Sequence, residues 1–173
     1  MSAAAGRRYF LFGMAVALIV LIADQASKNW VLYGLGFIEC PACLPVSVTP
    51  FFDLTMVWNE GISYGLFPAD SAGEKYLLIG FSIVMALILT WWLVRADGRW
   101  LGLGLGLVIG GAVGNVIDRF LYGAVVDFFH FHAFGYSWYV FNVADAAIVL
   151  GVGAILIDAV FMGRASSGSE AKG

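Results

Sequence analysis

The sequence predicts a helical membrane protein: a bundle of four transmembrane helices with a small β-rich segment on the outer membrane face. Two observations point to this fold class. Of the 173 residues, 61% are hydrophobic and only 12% are charged, whereas soluble domains carry about 25% charged residues. The few charged residues also divide the chain into uncharged stretches, each close to the ~20 residues that a membrane span requires. We therefore expect a single integral membrane domain over residues 1–173.

Four helices are predicted in these stretches. The first covers about residues 9–32. Two arginines precede it, as in a signal peptide, but no small-x-small cleavage site follows, so we expect this helix to be retained. The other three are predicted at about residues 76–94, 100–117 and 141–162, each long enough to cross the hydrocarbon layer. Residues 165–173 are expected to be a flexible tail.

The orientation is predicted from the basic residues, which concentrate in cytoplasmic loops. An even number of spans puts both termini on one side, which holds six basic residues, namely Arg7, Arg8, Arg95, Arg99, Arg164 and Lys172. The other side holds three, namely Lys28, Lys75 and Arg119. Both termini are therefore predicted to be cytoplasmic. The net charge of −3 argues against nucleic-acid binding, which needs clustered basic residues.

Two external segments connect the helices. The first, at about residues 33–75, contains all four prolines, and its strand-forming run Val46–Trp58 predicts a small sheet. Its Cys40 and Cys43 lack the strand and helix context of a redox motif, so we expect a local disulfide. The second segment, at about residues 118–140, is crowded with aromatic residues, which are expected to lie at the level of the lipid headgroups.

A stripe of glycines marks the third helix. Its members recur every fourth residue and lie on one helical face, namely Gly102, Gly106, Gly110 and Gly114. Small residues at this spacing allow another helix to approach closely, so we interpret the stripe as a packing surface. Gly111 lies off the stripe, four residues before Asn115, and is interpreted as leaving room for a ligand.

Ionisable and polar side chains predict a functional site at the outer ends of the helices, because such groups are costly in lipid. They are Asp24 and Lys28 at the outer end of the first helix, Asn115, Asp118 and Arg119 at the outer end of the third, and Asn142 and Asp145 at the outer start of the fourth. Asp127 and Asp145 stand in apolar surroundings on different elements, which makes them candidates for a shared site. For the pairs Asp24 with Lys28 and Asp118 with Arg119, internal salt bridges explain the sequence equally well. Asp158 is expected near the cytoplasmic interface, without a functional role.

The sequence supports other catalytic or metal-binding sites less well. His130 and His132 stand with Asp127 at a spacing typical of metal ligands on a strand, but no zincin motif or further ligand cluster accompanies them. Ser27 and Lys28 are adjacent, so their side chains point in different directions and do not suit serine–lysine catalysis. We expect no metal and no cofactor.

Five motifs, in this order, resemble those of the lipoprotein signal peptidases, the signal peptidase II family. They are Asp24-Gln25-x-x-Lys28, Asn59-x-Gly61, Gly110-Gly111-x-x-Gly114-Asn115-x-x-Asp118-Arg119, Val125-Val126-Asp127-Phe128 and Phe141-Asn142-x-Ala144-Asp145. The resemblance covers most of the chain. It implies an aspartyl endopeptidase of the bacterial inner membrane, with its active site near the outer face. Its substrate would be a prolipoprotein that carries diacylglyceryl on a cysteine and is cut just before that cysteine.

The resemblance also implies roles for individual residues. Asp127 and Asp145 would be the catalytic pair, and the supporting or substrate-binding residues would be Asp24, Lys28, Asn59, Gly111, Asn115, Arg119 and Asn142. Two neighbouring carboxyl groups suit this chemistry, because they cannot both ionise: one keeps a proton while the other activates a water. The implied partners are the prolipoprotein and membrane lipid, with no obligate protein partner.

Two other functions compete with this one. In a small proton- or cation-conducting transporter subunit, Asp127 and Asp145 would line an ion path. Such a path needs polar groups in both halves of the membrane, and apart from Asp158 they occur only in the outer half. A membrane scaffold that binds partners through the external sheet would explain that segment but not the carboxylates in apolar surroundings.

Overall fold

The computed structural model describes residues 3–40, 44–61 and 72–162. Its four long helices are α1 (Ala3–Asn29), α2 (Ala72–Leu93), α3 (Arg99–Tyr122) and α4 (Val143–Ile157). A short π-helical turn extends α1 at Trp30–Gly34, and a 3-10 turn follows it at Phe37–Glu39. A second π-helical turn extends α4 at Asp158–Met162. The strands are β1 (Val46–Thr49), β2 (Phe52–Asn59), β3 (Val125–Ala133) and β4 (Tyr136–Ser137).

Within the described residues, four helices are long and apolar enough to cross a membrane, at Gly6–Gly34, Lys75–Leu93, Arg99–Tyr122 and Val143–Phe161. The predicted four-helix fold class is thus confirmed. The expected end of the third helix near residue 117 was wrong, because α3 continues to Tyr122. It ends at Gly123, whose φ of +85° and N–H bond to the Arg119 carbonyl form a glycine C-cap. Asp118 and Arg119 therefore lie inside the helix, not in an external loop.

The glycine stripe of α3 packs against α1, in agreement with its interpretation as a packing surface. A Cβ atom at Gly110 would lie 2.5 Å from the Ala17 carbonyl oxygen, and one at Gly102 would lie 3.3 Å from the Tyr9 carbonyl oxygen. Gly104, on another face of α3, meets Gly151 of α4 in the same way. Because α3 touches both neighbours through glycines, its backbone lies at the centre of the bundle.

The strands form one antiparallel sheet in the order β1-β2-β3-β4. The predicted sheet at Val46–Trp58 corresponds to β1 and β2. The sequence did not predict that the second external segment, expected as an aromatic belt, supplies the long strand β3 beside β2. Over residues 129–132 phenylalanine alternates with histidine, and this period of two is a strand signal.

An apolar cluster joins the sheet to the C-terminal end of α1. Val31 and Leu32, in the turn that extends this helix, pack with Phe37 against Leu54 of β2 and Phe128 of β3. All five side chains are at least 95% buried. The sheet is thereby fixed at the C-terminal end of α1, where β3 also meets the residues that precede α4.

Candidate active site

Strand β3 carries Asp127 into the protein interior. Asp127 pairs with Val57 of β2 and is only 1% exposed. Its neighbours Val125, Val126 and Phe128 are also buried. The apolar neighbours anchor this part of the strand, so the carboxyl group is held in surroundings that contain little water.

The first turn of α4 carries Asp145. The helix begins with a capping box, in which the Asn142 side chain accepts a hydrogen bond from the Asp145 N–H at 2.9 Å. The Asp145 carboxylate accepts in return from the Asn142 N–H at 3.3 Å. This reciprocal pair satisfies helix donors that would otherwise be unpaired. It also sets the orientation of Asp145, which is partly exposed.

Two asparagine side chains connect Asp127 with Asp145. The Nδ2 group of Asn142 donates to Asp127 Oδ1 at 2.7 Å, and the Nδ2 group of Asn115 donates to Asp145 Oδ1 at 2.8 Å. Asn142 Nδ2 also contacts Asn115 Oδ1 at 3.1 Å. The carboxyl groups of β3 and α4 thus belong to one hydrogen-bond network.

Beneath this network lies a buried cluster of three charges. The Lys28 ammonium is 2.8 Å from Asp24 Oδ2 and 2.7 Å from Asp118 Oδ2, and it donates to Asn115 Oδ1 at 3.1 Å. The exposed fractions of the Lys28, Asp24 and Asp118 side chains are 2%, 0% and 1%. Such deeply buried charges are tolerated only when they are paired and hydrogen-bonded, as these are.

The two carboxylates of this cluster also hold the backbones that carry the site. Asp24 Oδ1 accepts from the Ala144 N–H at 2.9 Å, one residue before Asp145. Asp118 Oδ2 accepts from the Val126 N–H at 3.1 Å, one residue before Asp127. The charge cluster therefore links α1 to the start of α4 and α3 to β3, which positions the two candidate carboxyl groups relative to each other.

Asn59 approaches Asp127 from the end of β2. Its Nδ2 group donates to Asp127 Oδ2 at 2.9 Å, and its Oδ1 atom accepts from the Gly61 N–H at 3.1 Å. Gly61 has a φ of +118°, which side-chain-bearing residues rarely adopt. The Asn59-x-Gly61 motif is therefore explained by a turn that aims the amide at Asp127.

The pKa of Asp127 is raised to about 7. Burial is the largest cause, and the negative charge of Asp145 adds to it, whereas the hydrogen bonds from Asn59 and Asn142 act in the opposite direction. Asp127 consequently holds a proton up to near-neutral pH. A carboxyl group with a raised pKa beside a second carboxyl group is the arrangement expected for acid–base catalysis.

Arg119 and Gly111 complete the set of predicted residues. Arg119 lies within electrostatic range of Asp127 and Asp145, and its Nε atom is buried without a hydrogen-bond partner among the residues that the structure describes. At Gly111, the expected room for a ligand is taken up by α4, because a Cβ atom there would lie 2.5 Å from the Ala144 carbonyl oxygen. That interpretation of Gly111 was wrong, and the residue allows α3 and α4 to pack closely beside Asp145.

Two residues in contact with Lys28 or its partners, Asp118 and Gln25, were not among the supporting residues that the resemblance implied. Asp118 was considered as a partner of Arg119, but it pairs with Lys28, because successive residues on a helix point about 100° apart. Gln25 donates to Asp118 Oδ1 at 3.0 Å and thereby links α1 to α3. Its place in the Asp24-Gln25-x-x-Lys28 motif was the available signal.

Asp127 does not lie with the two histidines, as the weaker metal-site alternative would have required. Side chains alternate between the faces of a strand, so Asp127 lies on the opposite face of β3 from His130 and His132. The carboxylate next to these histidines is Asp53, whose Oδ2 atom is 2.8 Å from His132 Nε2.

Comparisons with known proteins give consistent results. A family model described as signal peptidase (SPase) II matches residues 16–161. A lipoprotein signal peptidase of Methylobacterium sp. (strain 4-46) is 47% identical over 166 residues, covering 96% of this chain and 94% of the relative. A second one, from Nitrobacter hamburgensis, is 51% identical over 150 residues, covering 84% of this chain and 90% of the relative.

Solved structures agree with the fold. A bacterial membrane enzyme determined by the in meso method at 1.9 Å resolution superposes with a TM-score of 0.71 at 27% sequence identity, covering 86% of this chain and 92% of the other. A second bacterial membrane enzyme, at 2.3 Å resolution, gives a TM-score of 0.67, also at 27% identity, over 84% of this chain and 85% of the other.

Proposed function

This chain belongs to the signal peptidase II family, and we propose that Asp127 and Asp145 are the two carboxyl groups with which it cleaves its substrate. It is an aspartic peptidase of bacterial membranes that removes signal peptides from prolipoproteins. The alternative of a transporter subunit finds no support in these relatives.

One observation carries the assignment of the catalytic pair. Asp127 and Asp145 come from different elements, yet the Asn142 residue contacts both carboxyl groups, at 2.7 Å through its side chain and at 3.3 Å through its N–H. The charge of Asp145 helps to raise the pKa of Asp127 to about 7, which burial chiefly causes. A neighbouring negative charge disfavours ionisation of a carboxyl group, so the two groups are suited to opposite roles as acid and base.

The geometry supports a mechanism without a covalent intermediate. Asp145, the more exposed of the two groups, takes a proton from water as the water oxygen attacks the scissile carbonyl carbon. Asp127, buried and protonated, donates its proton to the carbonyl oxygen, so that a neutral gem-diol intermediate forms. When the C–N bond breaks, Asp145 returns a proton to the leaving nitrogen and Asp127 regains its proton from the diol.

The remaining residues have supporting roles in this proposal. Asn115 and Asn142 position the two carboxyl groups, and Asn59 adjusts the pKa of Asp127 through its hydrogen bond. Arg119 is assigned to a polar group of the substrate, because its Nε atom is buried and has no partner within the described residues. Gly111 keeps α3 and α4 close enough for Asn115 to reach Asp145.

The substrate that fits best is a prolipoprotein with diacylglyceryl on the cysteine after the cleavage site. Its acyl chains would remain in lipid beside the bundle, while the peptide reaches Asp127 and Asp145. The test is to incubate the purified chain with one prolipoprotein, with and without the diacylglyceryl group. Release of the signal peptide only from the modified form supports the proposal, and equal cleavage of both forms contradicts this choice of substrate.

We propose that both termini are cytoplasmic and that the active site lies near the outer face. The charge count supports this orientation, because six basic residues lie on the side of the termini and three on the other side. Reporter fusions at Gly98 and after Arg164 should therefore report the cytoplasm, and a fusion near Asp70 should report the exterior. The opposite pattern would contradict an external active site.

The pH profile of cleavage should reveal the raised pKa of Asp127. The rate is expected to fall above about pH 7 as Asp127 loses its proton, and to fall at low pH as the base becomes protonated. The apparent pKa values belong to the pair of carboxyl groups.

The variant Asn59→Ala tests the hydrogen bond to Asp127. It removes a bond that favours the ionised Asp127 carboxylate, so the alkaline limb of the pH profile should move to higher pH. An alkaline limb that stays in place would contradict the role of Asn59.

The cysteines are expected to contribute stability, not chemistry. Cys40 is disulfide-bonded, and its expected partner Cys43 lies outside the described residues, as do the tail residues 165–173. A loop this short gives a modest entropic stabilisation. The double variant Cys40→Ser, Cys43→Ser should thus retain substantial cleavage in detergent. Complete loss of cleavage in a folded variant would mean that a thiol takes part in the reaction.

A further inference from the structure

Asp53, His130 and His132 form a cluster on the external sheet that the peptidase mechanism does not use. One potential ligand atom from each residue lies within 4.8 Å of the other two. His132 Nε2 is 2.8 Å from Asp53 Oδ2, and the rings of His130 and His132 have their centroids 5.3 Å apart. The three side chains are neither fully buried nor fully exposed, although the Asp53 Oδ1 and His130 Nδ1 atoms are themselves buried.

The strand register explains why these three side chains meet. Asp53 of β2 pairs directly with His130 of β3, and His132 follows two residues later on the same face. Ser137 of β4 pairs with His132, and its hydroxyl lies 2.6 Å from His130 Nε2. The backbone therefore holds the cluster in place, independently of the flexible ends of the side chains.

The donor set suits a transition-metal ion. Two imidazole nitrogens and one carboxylate oxygen are ligands that Zn²⁺ accepts, at distances of about 2.0–2.2 Å. Tetrahedral ligands at such distances are about 3.3 Å apart, which small rotations of these partly exposed side chains can reach. His130 Nδ1 is buried and has no hydrogen-bond partner among the described residues, so at least one ring nitrogen is free for a further bond.

We propose that Asp53, His130 and His132 bind one Zn²⁺ ion, with a water molecule or the Ser137 hydroxyl as the fourth ligand. The ion joins β2 to β3 on the sheet face opposite Asp127. Its role is to stabilise the external sheet, and signal-peptide cleavage does not require it.

The test measures Zn²⁺ binding to the purified full chain in detergent. The protein carries no histidine tag and is first treated with a chelator, and binding is followed by titration calorimetry. We expect one Zn²⁺ per chain and a higher unfolding temperature when the ion is present. The absence of saturable binding to the unmodified protein would overturn the proposal.

The variants His132→Gln and Asp53→Asn should each weaken Zn²⁺ binding by about 100-fold or more, beyond what loss of a merely supporting partner costs. Both keep a hydrogen-bonding group of similar size, and both should cleave prolipoprotein normally, which shows that they are folded. Asp97→Asn, between α2 and α3 at the other end of the bundle, is the matched control and should bind Zn²⁺ as the unmodified protein does. Unchanged affinity in both cluster variants would mean that the ion binds elsewhere.

A spectroscopic measurement covers the case in which the variants fold poorly. Co²⁺ added to the unmodified protein should give the intense visible absorption of a four-coordinate site, and Zn²⁺ should displace it stoichiometrically. A weak spectrum typical of hexahydrated Co²⁺ would contradict the proposed coordination. Because none of the three ligands belongs to the proposed catalytic machinery, this result is independent of the peptidase assignment.

Discussion

Replacing either Asp127 or Asp145 by Asn is expected to reduce prolipoprotein cleavage by about 10⁴-fold, to near background. Asn keeps the size of the side chain, but it can neither hold the shared proton nor accept a proton from water. The double variant should be scarcely slower than either single variant, because groups that act as a unit are strongly non-additive. The measurement is the single-turnover rate with a diacylated prolipoprotein at saturating enzyme.

Two controls separate this result from a folding defect. Asp158→Asn changes another carboxylate, at the C-terminal end of α4, and should leave the rate unchanged. Substrate binding should persist in the Asp127 and Asp145 variants. Chelators should not inhibit cleavage, in contrast to an enzyme whose chemistry depended on a metal at His130 and His132. Near-normal turnover in either single variant, or inhibition by a chelator, would contradict the catalytic assignment.

The second large effect is expected at Lys28. Lys28→Met leaves the carboxylates of Asp24 and Asp118 buried without a cation, although both are at most 1% exposed. Breaking a buried ion pair by removing one partner costs about 3–5 kcal/mol. We expect a large drop in the unfolding temperature in detergent. Cleavage should also be lost, because the backbone N–H groups of the residues before Asp127 and Asp145 are hydrogen-bonded to these two carboxylates.

A neutral triple variant tests the electrostatic cause. Lys28→Met combined with Asp24→Asn and Asp118→Asn leaves no unpaired charge, so it should be more stable than Lys28→Met alone. Lys75→Met, which changes the partly exposed lysine of α2, is the matched control and should cost little stability. If the triple variant were as unstable as the single one, lost packing and not unpaired charge would be the cause.

The number of helices could be predicted from the sequence, because membrane spans are recognised by their length and hydrophobicity alone. No helical periodicity of the apolar residues is needed to find them. It was less informative about boundaries. The end of α3 was misplaced at the first charge, since a charged residue inside a span looks like a loop until its partner is known. Asp118 can remain in the helix because Lys28, ninety positions earlier in the chain, lies 2.7 Å from it.

The sheet shows the same division between local and distant information. Strands β1 and β2 were predicted from Val46–Trp58, whose composition favours extended structure. Strand β3 was not, because its many aromatic residues also fit a membrane interface. Only its pairing with β2 distinguishes the two, and that pairing joins residues more than sixty positions apart.

For the candidate site, the chain by itself determined which side chains are costly to bury: Asp127 and Asp145 stand out because carboxylates in apolar surroundings need a reason. Their connection was decided by the tertiary structure. Asn115 and Asn142 bring α3, α4 and β3 to one point, and the register of β3 turns Asp127 away from the histidines and leaves them to Asp53. Burial and hydrogen bonding depend on residues distant in sequence, so no local pattern contains them.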